Sequence, residues 1–222
     1  IRRGHVTIAS GPQALQHFLP ASVAHYRAEH PAVTFSLTRQ DGAASEASLR
    51  SLEADLALIF EPIKTSDFKT IATLRQQLFC LMAADHPLAQ KSIIRLRDCA
   101  EQPTILPFND AGVRQLLNVG LIRRNVTLAN VIESNSHNFL QTYLTHEPVI
   151  SFQIPIAMPA QLIQNQNGDG GIVARPIDPA DVPLGVLHIG QLKDRVLPVA
   201  AAKFLDQMIT TLEALYGKDL EH

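Results

Sequence analysis

Four short segments of the 222-residue chain set ligand-capable groups beside the end of an apolar run. Ser10-Gly11-Pro12 ends the run His5-Val6-Thr7-Ile8-Ala9. Gln40-Asp41-Gly42-Ala43 follows Val33 to Leu37. Pro107-Phe108-Asn109-Asp110 follows Thr104-Ile105-Leu106, and Ser151-Phe152-Gln153-Ile154-Pro155 continues a fourth run from Val149. In an open α/β sheet, ligands gather at the carboxyl ends of strands. A helix that starts there presents unpaired N–H groups and the positive end of its dipole to an anion. Ser10 adds a hydroxyl, Asn109 an amide that donates and accepts, Phe108 a ring to pack on a ligand ring or chain, and Gln153 a polar group between two apolar ones. Each has a plainer role: Ser10 as a helix cap, Gly42 in a solvent turn, Asp110 as the cap of the next helix, Gln153 as a partner for backbone groups. Asp41 disfavours an anion if it points inward. Ser134 and Ser136 suit helix caps better than ligands.

Chemistry beyond binding lacks a motif. Nine histidines bring metal to mind, but there is no HExxH and no close His/Cys/carboxylate set. His25 and His30 stand five apart, which does not bring them onto one helical face. Ser10-Gly11-Pro12 is not G-x-S-x-G. Neither a P-loop nor a dinucleotide-binding glycine fingerprint occurs, and Gly168-Asp169-Gly170-Gly171 follows no strand-like segment. The chain is expected to have no catalytic activity, cofactor or metal.

The elements that must position these residues follow from periodicity. Residues 5–9 and 33–37 alternate and read as strands. Leu15, Phe18, Leu19, Val23 and Tyr26 recur at helical spacing and predict one amphipathic helix ending at His30-Pro31. A short helix around 46–52 leads to a third strand at 54–59. This strand–helix alternation marks parallel βαβ units. Strands at 70–75 and 78–84 follow. The pattern then restarts with a helix at 95–99, a strand at 104–106, a helix at 112–119, a strand at 125–132, a helix at 136–145 and a strand at 149–152. A helical turn at 155–162, a Gly-rich loop at 165–171, a strand at 183–189 and a long helix at 198–215 complete it. Two α/β blocks in series result, roughly 1–80 and 85–180, each too small for a deep core alone.

Composition bounds the partners. Hydrophobic residues make up 46% and charged residues 18%, which suits a folded core. The 19 basic residues are scattered among 21 acidic ones, for a net charge of -2, so this segment is a poor direct binder of nucleic acid. Cys80 and Cys99 have no CxxC neighbour and read as reduced cysteines of a cytoplasmic protein. No apolar run approaches the roughly 18 residues of a membrane span, and no signal peptide is seen. Ile1-Arg2-Arg3-Gly4 reads as an internal start within a longer protein. Leu220-Glu221-His222 reads as a purification-tag remnant outside the fold.

Read together, the segments resemble the effector-binding domain of LysR-type transcription regulators over almost the whole chain. Gly4 to Ser10 resembles that family's opening strand. Leu19-Pro20, Tyr26 and His30-Pro31-Ala32-Val33 resemble its first helix and the turn after it. Leu52 to Leu58, Leu81 to Leu88 ending in His86-Pro87-Leu88, Glu133 to Leu144 with Val149 to Pro155, and Ala200 to Leu205 resemble later family segments in order and spacing. One stretch departs: Glu147-Pro148-Val149-Ile150-Ser151 stands where the family usually has Gly-x-Gly-Ile.

The resemblance implies an α/β fold of the periplasmic-binding-protein type 2 kind. Its two Rossmann-like lobes are joined by two crossing strands, near Phe79 to Ala83 and Leu184 to Ile189. Lobe I would comprise 1–82 with 187–219, and lobe II 83–186. A small-molecule effector such as a carboxylate would bind in the cleft, touching Ser10, Gly11, Pro12, Gly42, Ala43, Phe108, Asn109, Phe152 and Gln153. Relatives often carry a hydroxyl where this chain has Ala43, so that contact would be weaker or apolar. A winged helix-turn-helix ahead of Ile1 would bind the DNA. The domain is expected to form a homodimer, and the full-length protein a homotetramer, with no membrane partner. Apolar stripes Leu15, Phe18, Leu19, Val23 and Phe204, Met208, Leu212 would serve the dimer or cover their own sheet. Two rivals share the fold: a solute-binding protein of a transporter and a small α/β enzyme.

Overall fold

A computed structural model describes residues 3–109 and 111–222. In chain order, the first stretch runs β1 (Gly4–Ser10), α1 (Pro12–Gln16), α2 (Phe18–Glu29), β2 (Val33–Arg39), α3 (Gly42–Arg50), β3 (Leu56–Ile59) and β4 (Phe68–Gln76). The middle runs β5 (Phe79–Ala83), α4 (Leu96–Cys99), β6 (Pro103–Leu106), α5 (Gly112–Arg124), β7 (Ala129–Glu133), α6 (His137–Tyr143), β8 (Ser151–Gln153), α7 (Ala160–Gln164) and β9 (Ile172–Pro176). The chain closes with β10 (Gly185–Leu192), α8 (Val199–Tyr216) and β11 (Leu220–Glu221).

Two compact units form. One takes the chain up to Arg75 together with Val186–His222, the other Gln76–Gly185. The first unit's sheet has the order β11-β4-β10-β3-β1-β2. β1 runs parallel to both β2 and β3, with Ile8 opposite Leu37 and Leu56, and β10 is antiparallel to β3. β3 is apolar throughout because both its faces are covered. On one face Ala57 and Ile59 meet Ala9 and Leu49. Elsewhere in this unit Tyr26, Phe35 and Phe204 pack edge to face, with ring centroids 5.1–5.9 Å apart. Arg195 ties the β10–α8 loop to the strands: it donates to Asp55 at 2.7 Å and to the Ala54 carbonyl at 3.1 Å, while Asp55 accepts from the Thr7 N–H.

The second unit repeats the plan. β6 and β7 pair in parallel, and β5 is antiparallel to both β8 and β9. A parallel bridge between Thr104 and Ile150 links the two groups; the N–H of Ile105 donates to the Ile150 carbonyl at 2.9 Å. The lateral order is therefore β7-β6-β8-β5-β9, matching β2-β1-β3-β10-β4 in the first unit. Its core gathers Phe79, Leu81, Ile105, Leu140, Leu144, Val149, Met158, Leu162, Ile172 and Ala174. Asp181 pins α4 and α5: it accepts from Arg95 at 2.9 and 2.8 Å and from the Leu96 N–H at 2.9 Å, and pairs with Arg124 at 3.0 Å.

Several expectations are corrected. The helix predicted as one piece is two, broken at His17. The ring of Pro20 clashes with the carbonyl four residues back and supplies no N–H, so a continuous helix cannot pass Gln16. The strand expected from Asn125 begins only at Ala129, because α5 runs on to Arg124 and Asn125 closes it in the left-handed conformation at φ 52°. β9 was not anticipated. Phe79 to Ala83 pairs with β8 and β9 inside the second unit's sheet, so the unit boundary lies at Arg75/Gln76 rather than after residue 82. Leu220-Glu221, set aside as a tag, forms a strand beside β4 with Leu220 opposite Leu74. Phe204, Met208 and Leu212 are fully buried in their own unit, so that stripe covers the sheet. Both cysteines are free and buried; burial, with Cys99 alongside, pushes the Cys80 thiol up and keeps it protonated.

Candidate ligand site

In the first unit the chain turns from β1 into α1 through Ser10, Gly11 and Pro12. Gly11 is the residue capping α1 and Pro12 its first helical residue, where a missing N–H costs nothing. Ser10 is therefore not the cap. It is fully buried, and its hydroxyl donates to the Gly11 carbonyl at 2.8 Å, while the Gly11 N–H is held by the Leu58 carbonyl at 3.2 Å. The hydroxyl's lone pairs remain as acceptors.

The start of α3 already carries its own anions. Asp41 caps the helix, accepting from the Ala44 N–H at 2.8 Å. The Glu61 carboxylate lies beside Gly42, whose added Cβ would meet its Oε2 at 3.3 Å. Burial raises the Glu61 carboxyl above its usual range; nearby backbone amides, Gly42's among them, pull it down and Asp41 adds repulsion. Ala43 is exposed. Deeper on α3, Glu46 accepts from the N–H groups of Lys64 and Thr65 and from the Thr65 hydroxyl at 2.5 Å. Burial lowers the His188 pKa, with Glu46 pulling the other way.

In the second unit a cavity of about 20 Å³ opens where β6 and β8 end. Pro107 lines it from the β6–α5 turn, Val113 from the first turn of α5, Leu81 from β5, and Ser151, Phe152 and Gln153 from β8. His137, Leu140, Gln141 and Leu144 complete it, spaced i, i+3, i+4, i+7 along the α6 segment. Gln153 sits in a defined orientation. Its Oε1 accepts from the Ile154 N–H at 3.1 Å, which turns Nε2 toward His137 Nδ1 at 3.2 Å. An amide nitrogen only donates, so in this arrangement Nδ1 of His137 is the acceptor. Ser136 caps α6 through the Phe139 N–H at 3.1 Å. α5 begins above the same cavity without a side-chain cap among the described residues and with no acidic residue in its first turn.

Of the sequence candidates, Phe152 and Gln153 line this cavity, and Pro107 joins them. Phe108 and Asn109 do not: both are exposed, and Asn109 Oδ1 accepts from Asn118 at 3.3 Å. Asp110 lies outside the described residues. His137 carries no motif that marks it in the sequence; the helical spacing it shares with Leu140, Gln141 and Leu144 brings it here. Glu147-Pro148, the departure from the family pattern, forms a bend that returns Ile150 to the edge of β6. Among the described residues no group of three His, Cys, Asp or Glu could hold a metal ion, and no helix is long and apolar enough to cross a membrane.

Residues 2–213 match the LysR substrate binding domain. The chain belongs to that family. The LysR domain's relatives are bacterial and are named as transcriptional regulators, not enzymes. The HTH-type transcriptional regulator CysB of Burkholderia cenocepacia is 25% identical over 179 residues, 79% of this chain and 54% of that protein. The uncharacterized HTH-type transcriptional regulator YwbI of Bacillus subtilis is 21% identical over 207 residues, 93% of this chain and 66% of that protein. The chain thus spans roughly half to two-thirds of these relatives' length. Two solved structures share the fold. One is the CcmR regulatory domain of Synechocystis PCC6803 in complex with 2-PG, with TM-score 0.78, 19% identity, and 94% and 97% of the two chains covered. The other is the effector binding domain of QuiR in complex with shikimate, with TM-score 0.75, 18% identity, and 96% and 99% covered. The fold of this LysR domain is that of the periplasmic-binding-protein type 2 kind.

Proposed function

We propose that this LysR domain senses a small metabolite and passes its occupancy to a DNA-binding segment outside these 222 residues, within a cytoplasmic, dimeric regulator that is tetrameric at full length. The observation that carries the reading is the second unit's cavity, with its oriented Gln153–His137 pair at the strand ends. We take the two units as lobes I and II, with the chain passing between them at Arg75/Gln76 and Gly185/Val186. The remaining candidates are proposed contacts: Ser10, Gly11, Pro12, Gly42 and Ala43 in the first unit, Phe108 and Asn109 in the second. Because the Ser10 hydroxyl hydrogen is engaged and α3 is capped by Asp41, the ligand group meeting the first unit is a hydrogen-bond donor. A carboxylate fits the α5 start better. An effector shifts the domain only as far as it binds one conformation more tightly than another.

A panel of metabolites in a thermal-shift assay tests this. A true effector at 100 times its Kd raises stability by about 2.7 kcal/mol, a shift of several degrees. If nothing in a broad panel stabilises the domain, the sensing role fails.

A further inference from the structure

Resting on that reading, we propose that the second unit receives an uncharged, apolar end of the effector, about the size of a methyl group, and rejects a second charged group there. The cavity lining is mostly aliphatic and aromatic: Leu81, Val113, Leu140, Leu144, Phe152 and the Pro107 ring. Among the described residues, neither a Lys or Arg nor an Asp or Glu lines it. Leu81, Leu140 and Leu144 also belong to the unit's core, so the cavity floor is continuous with close-packed hydrocarbon. About 20 Å³ holds one water-sized or methyl-sized group.

The polar side chains among the described lining residues, His137, Gln141, Ser151 and Gln153, include no carboxylate, guanidinium or ammonium. The Gln153 amide bonds the Ile154 N–H on one side and His137 on the other. The nearest guanidinium on α5, Arg114, donates to the Pro107 carbonyl at 2.9 Å and pairs with Glu133 at 3.6 Å. A carboxylate pushed into this cavity loses its water and meets no counter-ion, whereas a methyl loses nothing and fills the space. The effector's charge therefore stays outside this cavity, and the inserted end is hydrocarbon.

Butyrate and succinate are matched probes, differing only in whether the far end is methyl or carboxylate; formate has no hydrocarbon end. The full 222-residue domain, carrying ¹³C-labelled Leu and Val methyls, is titrated with each at constant ionic strength. Butyrate should shift the methyls of Leu81, Val113, Leu140 and Leu144 in a saturable way, at a half-saturation about tenfold or more below that of succinate. Formate should leave them in place. Leu140→Phe, which fills the cavity, should abolish the preference, and the wild-type comparison stands without that variant if it fails to fold. Succinate moving these methyls at equal or lower concentration, or butyrate leaving them unmoved, overturns the proposal. A metabolite that stabilises the domain while butyrate leaves the cavity untouched would sink this inference and keep the sensing role.

Discussion

At the scale of single residues, the best-supported side chain is Asp181, held by Arg95, Arg124 and the Leu96 N–H. The hydrogen-bonded Arg95 guanidinium is the main reason its carboxyl is lowered to about 2; burial opposes it, while the Leu96 N–H and the charge of Arg124 reinforce it. A carboxyl depressed in the folded state contributes stability above its unfolded pKa, near 3.8, and that contribution is lost as pH falls through about 2. Asp181→Asn should cost on the order of 1.5–3 kcal/mol at pH 7, the value of hydrogen bonds to a charged group. Urea melts should show the wild type losing this advantage between about pH 4 and pH 2 while the variant does not. Equal pH profiles would remove Asp181 from acid stability. Ser10 carries the binding counterpart. Ser10→Ala should weaken the identified effector by about 0.5–1.5 kcal/mol, two- to tenfold, by calorimetry. Unchanged affinity would leave the hydroxyl with only its Gly11 contact.

At the scale of elements, two opposing effects meet at Gly120 in the middle of α5. Alanine there gains about 1 kcal/mol of helix propensity. The added Cβ, however, would stand 2.6 Å from Val182 Cγ2 and 2.8 Å from the Asp181 carbonyl oxygen. A side chain can rotate away, but the carbonyl belongs to the loop that Arg95 and Arg124 clamp, and overpacking of this kind costs about 1–3 kcal/mol. Gly120→Ala should therefore destabilise by about 1 kcal/mol or more in denaturant melts. A rise in the midpoint would mean the 178–182 loop gives way freely. β9 illustrates the same dependence on neighbours. Ile172-Val173-Ala174 is an apolar run fit for a strand, but it is short and directly follows the Gly-rich loop, where Gly168, Gly170 and Gly171 all have positive φ, and the sequence assigns it to no element. Its pairing with β5 makes it a strand.

At the scale of the whole molecule, self-association is the property most open to test. Phe18, Leu19, Phe204, Met208 and Leu212 are spent inside their own unit, so the surface for a partner copy has to be sought elsewhere. Val119 and Ile122 on α5, with Ile122 82% exposed, are the apolar side chains that remain uncovered on that helix. A two-fold contact uses one patch twice, so a modest one suffices to close a pair. Light scattering at micromolar concentration should give about twice 24.3 kDa, and Ile122→Glu should lower that mass toward one chain. A monomeric mass at the highest soluble concentration would sink the dimer for this domain and leave sensing intact. In gel-shift experiments the isolated domain should not bind duplex DNA with sequence preference, given its net charge of -2; nanomolar, sequence-dependent binding would overturn that.

The amino-acid sequence by itself determined the alternation of strands and helices and the family, because these rest on local periodicity and on residue order. It also carried Phe152 and Gln153 to the cavity. What it left undecided was which partner each polar group takes. Asp41 and Glu61 are twenty residues apart, yet both attend the start of α3; Gln153 and His137 come from a strand and a helix; Phe108 and Asn109, adjacent to Pro107, turn outward. The split between units likewise fell seven residues before the expected place, since β5 is claimed by its pairing with β8 and β9 rather than by its position in the chain. Hydrogen-bond partners and strand neighbours are long-range choices, settled by which pairings satisfy buried groups together, and only the tertiary structure makes them.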